Sequence, residues 1–228
     1  MHSTTIPPHL KDRVIARRGK EHIFDDLKAS ETALVVVDLQ NAFMMPEVSH
    51  AYIEQAVTIV PNVNRLADAT RLAGGQVIWI QTVCEPLDHS WSVLDTMSLD
   101  EWTARRQKAL ERGSKGWQLW DGLNTQPDKD IFIEKTRFSA FIQGSSDLDA
   151  ILKARGLRTL LITGTATNVC CESTARDAMM LNYRTVMIDD GNAAATDEEH
   201  SSSINAFYQM FGDVMSTDFA IGCLQNNT

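Results

Sequence analysis

Residues 159–189 read TLLITGTATNVCCESTARDAMMLNYRTVMID and contain the pattern that decides the fold. An apolar run, TLLIT (159–163), is followed by a Gly/Thr-rich turn, a helical stretch at 170–182 and a second apolar run, TVMID (185–189). A strand, a helix and a strand in this order predict a βαβ unit with parallel strands. Cys170 lies where the turn becomes the helix.

The same alternation extends over most of the chain. Four more apolar runs predict strands, at ALVVV (33–37), QVIWI (76–80), DIFIE (130–134) and DVMST (213–217). Further helices are predicted at 50–73, 146–155 and 198–211. We therefore predict an α/β fold with three layers, α/β/α, built on a doubly wound, mostly parallel six-stranded sheet of the Rossmann-like type.

Two segments stand apart from this alternation. Residues 1–31 are polar and mixed in charge, which predicts an N-terminal arm or short helix before a single domain at 32–228. Residues 81–129 are too many for a plain connection and hold four of the five tryptophans. This insertion is expected to contain a short helix and to form a wall of a pocket or a subunit interface.

Composition excludes several classes of function. The chain has 21 basic and 30 acidic residues and a net charge of −9, so neither nucleic acid nor an anionic membrane would attract it. No apolar run approaches the roughly 20 residues that span a bilayer, and the start, MHSTTIPPHLKDR, lacks the apolar stretch of a secretory signal. A soluble cytoplasmic protein is expected.

The cysteines and histidines do not form a metal-binding or disulfide pattern. Four cysteines, at 84, 170, 171 and 223, are few for the length and are expected to be reduced thiols. There is no C-x-x-C pair, and the six histidines are scattered along the chain. We predict no structural metal.

Three polar residues lie at or just after the carboxyl end of a predicted strand, which is where open α/β sheets bind ligands. Asp38 follows VVV, Lys135 follows DIFIE, and Cys170 follows the turn after TLLIT. Each alone has a plainer interpretation: a helix cap, a surface lysine and a small buried side chain. Together, a carboxylate, an ammonium and a thiol form a coherent unit for covalent catalysis.

The position of Cys170 at a helix start adds to this hypothesis. The macrodipole and free N–H groups there favour a thiolate, and the same N–H groups could form an oxyanion hole. The neighbouring Cys171 faces another way and is interpreted as structural. Arg176 and Asp177, on the same helix, are interpreted as a structural ion pair.

Three motifs carry a resemblance to a known family. ALVVVDLQNAF (33–43), EKTRFSAF (134–141) and GTATNVCCESTARDA (164–178) resemble the Asp, Lys and nucleophile segments of the isochorismatase-like superfamily of cysteine hydrolases. The resemblance runs from about 31 to 215 and is nearest to the ureidoacrylate amidohydrolase branch.

The resemblance implies a mechanism. Cys170 would be the nucleophile, Asp38 would take its proton, and Lys135 would orient Asp38 and stabilise the charged site. It also implies a cis peptide bond between Thr165 and Ala166, with the N–H groups of Ala166 and Cys170 as the oxyanion hole.

The resemblance further implies an N-carbamoyl, ureido or other small amide substrate, cleaved through a thioester, with no cofactor and with a homo-oligomer, a dimer or tetramer, as the assembly. The nicotinamidase branch carries an Asp-x-His metal cluster, whereas TVCEPLDHSW (82–91) has one histidine, which disfavours that activity. The candidate substrate-binding residues are Phe43, Thr82, Phe138 and Thr165, although the two phenylalanines are equally consistent with core packing.

Other functions remain open at this point. The chain could be a nicotinamidase-like or biuret-like hydrolase of the same fold, or a redox protein using Cys170 and Cys171. It could also be a binding protein without catalysis, which would require Asp38, Lys135 and Cys170 to lie far apart.

Overall fold

A computed structural model describes residues 2, 5–84 and 91–226, and its centre is a six-stranded parallel sheet. The strands are β1 (Thr32–Val37), β2 (Gln76–Thr82), β3 (Ile131–Lys135), β4 (Thr159–Thr165), β5 (Arg184–Ala193) and β6 (Asp213–Met215). All five strand pairings are parallel, which confirms the predicted fold class and sharpens "mostly parallel" to fully parallel.

The helices of the described residues cover both faces of this sheet. They are α1 (Pro8–Arg18), α2 (Asn41–Met44), α3 (Gln55–Thr58), α4 (Val60–Leu72), α5 (Ser92–Thr96), α6 (Asp100–Leu110), α7 (Leu148–Ala154), α8 (Glu172–Met180), α9 (Asp197–Met210) and α10 (Thr217–Asn226).

Strand β1 shows how the three layers arise. Its side chains alternate between two separate apolar cores because successive residues of a strand point to opposite faces. Leu34 and Val36 belong to the core under α4 and α10, whereas Ala33, Val35 and Val37 belong to the core under α7, α8 and α9. Both faces are therefore buried, as parallel sheets require.

The strand order β3-β2-β1-β4-β5-β6 places a switch point between β1 and β4. The chain winds outward in one direction through β2 and β3 and in the other through β5 and β6. Crevices for ligands form at the carboxyl ends of the strands at such a point.

Gly164 lets β1 and β4 approach closely at the switch point. It pairs with Val37, has φ 121°, and a Cβ on it would lie 2.0 Å from the Val37 carbonyl oxygen.

Several predicted boundaries move for identifiable reasons. The helix predicted at 50–73 is divided into α3 and α4, and Pro61 occupies the first turn of α4, where its missing N–H is tolerated. Strand β6 ends at Met215 and not at 217, because Thr217 begins α10. The Asp190 carboxylate accepts hydrogen bonds from the Thr217 N–H (2.7 Å) and hydroxyl (2.8 Å) at that start.

Both segments outside the alternation contain helices. The N-terminal segment forms α1, whose Leu10 and Val14 are buried, and Arg18 donates hydrogen bonds to the carbonyls of Tyr208 (2.6 Å) and Gly212 (2.7 Å). The described residues of the 81–129 insertion, which are 81–84 and 91–129, include two helices, α5 and α6, where one was predicted. Among the described helices, none is both long and apolar enough to cross a bilayer.

Candidate active site

Asp38 leaves the sheet directly after β1 with its side chain fully buried. Its φ of 54° lies in the left-handed region, which costs a non-glycine residue energy and is typical of functional sites. Its N–H donates to the Ile80 carbonyl (3.0 Å), which fixes the turn. Asp38 does not cap the next helix, since Gln40 is the residue that precedes α2.

Lys135 is the last residue of β3 and is also fully buried. Its Nζ lies 2.8 Å from Oδ2 of Asp38 and donates to Oγ1 of Thr82 (2.6 Å) and to the Arg137 carbonyl (3.0 Å). Burial alone would lower the pKa of Lys135, but the charge of Asp38 and the neighbouring Cys170 raise it above its usual value. Lys135 is therefore a buried ammonium ion and not a surface lysine.

Thr82 and Gln40 complete the polar network, at the end of β2 and after β1. The Thr82 hydroxyl donates to Oδ1 of Asp38 (2.9 Å). The Gln40 side chain accepts from the Thr82 N–H (2.8 Å) and donates to the carbonyls of Thr82 (3.0 Å) and Trp117 (2.7 Å). Gln40 was not predicted as a site residue from the sequence. Its position two residues after Asp38 was the signal that could have identified it.

Cys170 lies in a π-helical turn, Thr167–Cys171, between β4 and α8, and is 6% exposed. Its buried thiol lies beside the side chains of Asp38 and Lys135, and both of them shift its pKa. Burial raises the pKa of this thiol well above its usual value, Lys135 opposes the rise, and Asp38 adds to it. The helix start favours a thiolate, but burial acts in the opposite direction and raises the pKa of the thiol.

The turn before Cys170 has the backbone that the resemblance implies. The Thr165–Ala166 peptide bond is cis, and the Ala166 carbonyl accepts from the N–H groups of Val169 (3.1 Å) and Cys171 (3.2 Å). From α9, the His200 ring bonds through Nδ1 to the Thr167 hydroxyl (2.8 Å). The turn that carries Cys170 is thus held by its own backbone and by a neighbouring helix.

The four candidate substrate-binding residues have different surroundings. Phe43 is 9% exposed and packs in the core against the edge of His50, whereas Phe138 is 39% exposed and meets Trp91 edge-on at 4.7 Å. Phe138, Trp91 and Arg137 line one open cleft. Thr82 is engaged with Asp38 and Lys135, and the Thr165 hydroxyl is buried and donates to the Ala193 carbonyl (3.1 Å).

Two neighbours of Cys170 have structural surroundings. Cys171 is fully buried, and the cysteines are free thiols, so the vicinal pair forms no disulfide. Arg176 pairs with Glu172, one turn earlier, and lies over the Phe211 ring at 4.0 Å. The interpretation of Arg176 and Asp177 as partners is wrong, because a helix brings residues four apart together and not adjacent ones.

No cluster of three or more metal-ligating side chains occurs in the part of the chain that the structure describes. The sequence argument against a nicotinamidase used the segment TVCEPLDHSW (82–91), which lacks an Asp-x-His cluster. Residues 85–90 of this segment, including His89, lie outside the described residues.

Comparison with known proteins places this geometry in a family. The isochorismatase domain matches residues 32–219. The chain belongs to the isochorismatase family. A ureidoacrylate amidohydrolase of Rhizobium rhizogenes is 37% identical over 179 residues, covering 72% of this chain and 71% of the relative. One from Pseudomonas savastanoi pv. phaseolicola is 33% identical over 210 residues, covering 84% of this chain and 83% of the relative.

A solved structure supports the assignment. The cysteine hydrolase from Pseudomonas syringae pv. phaseolicola 1448A has a TM-score of 0.79 and 27% identity, covering 89% of this chain and 96% of that one. This isochorismatase-family chain is accordingly an enzyme, a hydrolase that acts on C–N bonds other than peptide bonds, as the sequence analysis predicts.

Proposed function

We propose that this isochorismatase-family enzyme is a cysteine-dependent amidohydrolase that cleaves a small ureido or N-carbamoyl substrate. The observation that carries the proposal is the burial of three groups side by side: the Asp38–Lys135 ion pair at 2.8 Å and the Cys170 thiol, whose pKa both charged side chains shift. This contact disfavours a binding protein without catalysis, which would leave the three groups apart.

The first step activates the thiol. Because burial keeps the Cys170 proton in place at rest, the proton passes to Asp38 only as the sulfur attacks the substrate carbonyl carbon. Lys135 holds its positive charge beside the developing thiolate and compensates it. The N–H groups of Ala166 and Cys170 are proposed to donate to the carbonyl oxygen, which carries the negative charge of the tetrahedral intermediate.

The second step expels nitrogen and regenerates the enzyme. The C–N bond breaks, Asp38 returns its proton to the departing ammonia or amine, and the carbonyl carbon remains bound to sulfur as a thioester. Water then loses a proton to Asp38 and attacks this carbon, the C–S bond breaks, and Asp38 gives the proton back to Cys170. One water is consumed for each C–N bond cleaved.

The substrate class rests on the relatives. Two relatives at 33–37% identity are named for ureidoacrylate, a small ureido acid.

The test compares ammonia release by the parent enzyme and by Cys170→Ala over a panel of ureido acids. Biuret and nicotinamide are included as substrates that represent the other amide classes. Activity should fall by at least 1,000-fold, since removing a nucleophile costs several orders of magnitude. Cys171→Ala is the matched control and should keep near-normal turnover. A rapidly quenched reaction should show substrate mass on the peptide containing Cys170.

Full activity of Cys170→Ala would refute the mechanism. Turnover of only biuret or nicotinamide would refute the substrate class. If Cys171→Ala abolished turnover as fully as Cys170→Ala, a mechanism that uses both thiols would replace this one.

A further inference from the structure

The Asp38 carboxylate has two oxygens in different surroundings. Oδ1 accepts the hydrogen bond of the Thr82 hydroxyl at 2.9 Å. Oδ2 lies 2.8 Å from the Lys135 ammonium, yet it receives no well-aligned hydrogen bond from the described residues. Oδ2 is therefore the oxygen with lone-pair capacity left for a proton.

The Thr82 hydroxyl can take only one direction in this network. An ammonium group has protons and no lone pair, and an ionised carboxylate has lone pairs and no proton. The Thr82 oxygen must then accept from Lys135 (2.6 Å), and its single proton must go to Asp38. The bond is charge-assisted at both ends, which makes it stronger than a bond between neutral groups.

The backbone of Thr82 is fixed as firmly as its side chain. The amide of Gln40 bonds both to the Thr82 N–H (2.8 Å) and to the Thr82 carbonyl (3.0 Å), and Gln40 is fully buried. Since Gln40 lies two residues after Asp38, the same short segment carries the carboxylate and holds the residue that orients it.

From this geometry we infer that Thr82 is a positioning residue for the reaction: it occupies Oδ1 of Asp38, so that Oδ2 is the oxygen that takes the proton of Cys170. Thr82 holds Lys135 on its other side and keeps the ammonium within reach of both Asp38 and the thiol. This role differs from the substrate contact expected of Thr82 from the sequence, because its hydroxyl already has a partner on each side.

The inference rests on the proposed cysteine mechanism and has its own test, Thr82→Val. Valine has nearly the shape of threonine but cannot bond to either charged group. We expect kcat to fall about ten- to hundredfold, the loss that corresponds to a hydrogen bond between charged groups, with KM changed less than threefold. Thr82→Ser, which keeps the hydroxyl, should restore kcat to within about threefold of the parent.

The matched control is Thr163→Val, the same substitution in β4. Thr163 is fully buried, whereas Thr82 is partly buried, and the Thr163 hydroxyl has no hydrogen-bond partner among the described residues. Its kcat should stay within twofold of the parent. All rates are divided by the folded fraction measured by circular dichroism, which separates positioning from loss of folded enzyme.

Each outcome decides a different point. If Thr82→Val keeps the kcat of Thr163→Val while Cys170→Ala is inactive, the role of Thr82 is refuted and the cysteine mechanism stands. If Cys170→Ala is active, the mechanism itself is refuted. If Thr82→Val raises KM and leaves kcat unchanged, Thr82 binds substrate and the inference fails. If Thr82→Val does not fold, Thr82→Ala and Thr82→Ser are compared: equal kcat in these two refutes the inference.

Discussion

The buried pair Asp38–Lys135 predicts a large energetic coupling between two residues that are 97 positions apart. Both side chains are fully buried and their charged atoms lie 2.8 Å apart. Lys135→Met should lower the free energy of unfolding by about 3–5 kcal/mol, because it leaves the carboxylate buried without its counter-ion. Asp38→Asn should cost a similar amount, because it leaves the ammonium unpaired.

The double variant should lose far less free energy of unfolding than the sum of the two single losses. Once one charge is gone, removing the other relieves a penalty and creates none. The double variant should then be no less stable than either single variant, so the coupling from the double-mutant cycle should be at least about 3 kcal/mol. Urea unfolding followed by far-UV circular dichroism measures all four proteins, and equal slopes against urea show that the same amount of surface unfolds in each.

A surface pair of the same residue types provides the control cycle. Lys20 and Asp25 lie 2.6 Å apart, but their side chains are 51% and 41% exposed. Solvent screens this pair, so its coupling should be far smaller than that of the buried pair. Equal coupling in the two cycles, or additive losses at Asp38 and Lys135, would show that burial does not strengthen the pair and would refute the reasoning.

Two further predictions concern the scaffold around the site. Gly164→Ala should destabilise the fold by about 3 kcal/mol or more in urea unfolding, because the new Cβ would meet the Val37 carbonyl at 2.0 Å at φ 121°. The control is Gly222→Ala in α10, where no other heavy atom lies within 4 Å of the new Cβ, and this change should be neutral or stabilising. Equal losses of stability in the two variants would contradict the predicted clash at Gly164. Burial lowers the pKa of His200 to about 4 from 6.5. The unfolded chain therefore binds the proton first as the pH falls, and stability is full above pH 6.5 and declines towards 4. In His200→Gln, the loss of unfolding free energy between pH 6.5 and 4 should be smaller by about 3 kcal/mol than in the parent. If the unfolding free energy of both proteins falls equally with pH, His200 is not the group responsible.

The sequence predicted most of the fold because the central strands β1 and β4 are apolar, rich in β-branched residues and buried on both faces. It did not predict α10, whose residues TDFAIGCLQN mix apolar and polar side chains without a clear stripe. It also placed one helix across Pro61, where a proline in the first turn of a helix was the available signal.

The environment of Cys170 was harder to predict than its position. The turn in the sequence singles out Cys170, but the pKa of its thiol depends on how completely other elements enclose it. Burial raises the pKa of Cys170, and that burial comes from residues distant in sequence, including those of β3 and β1. Local sequence shows the helix start, which favours a thiolate, and not the enclosure, which opposes it.

Strand order explains why Thr82 was assigned to the substrate in the sequence analysis. Asp38 follows β1 and Lys135 ends β3, and neighbouring strands lie about 4.8 Å apart, so the two residues are separated by the width of the intervening strand. That strand is β2, and its last residue, Thr82, pairs in register with Lys135. Given the order β3-β2-β1, a lysine reaching Asp38 must pass the end of β2, and a hydroxyl there meets both charges. Topology thus brings Thr82 between Asp38 and Lys135, and topology is what a single sequence leaves unspecified.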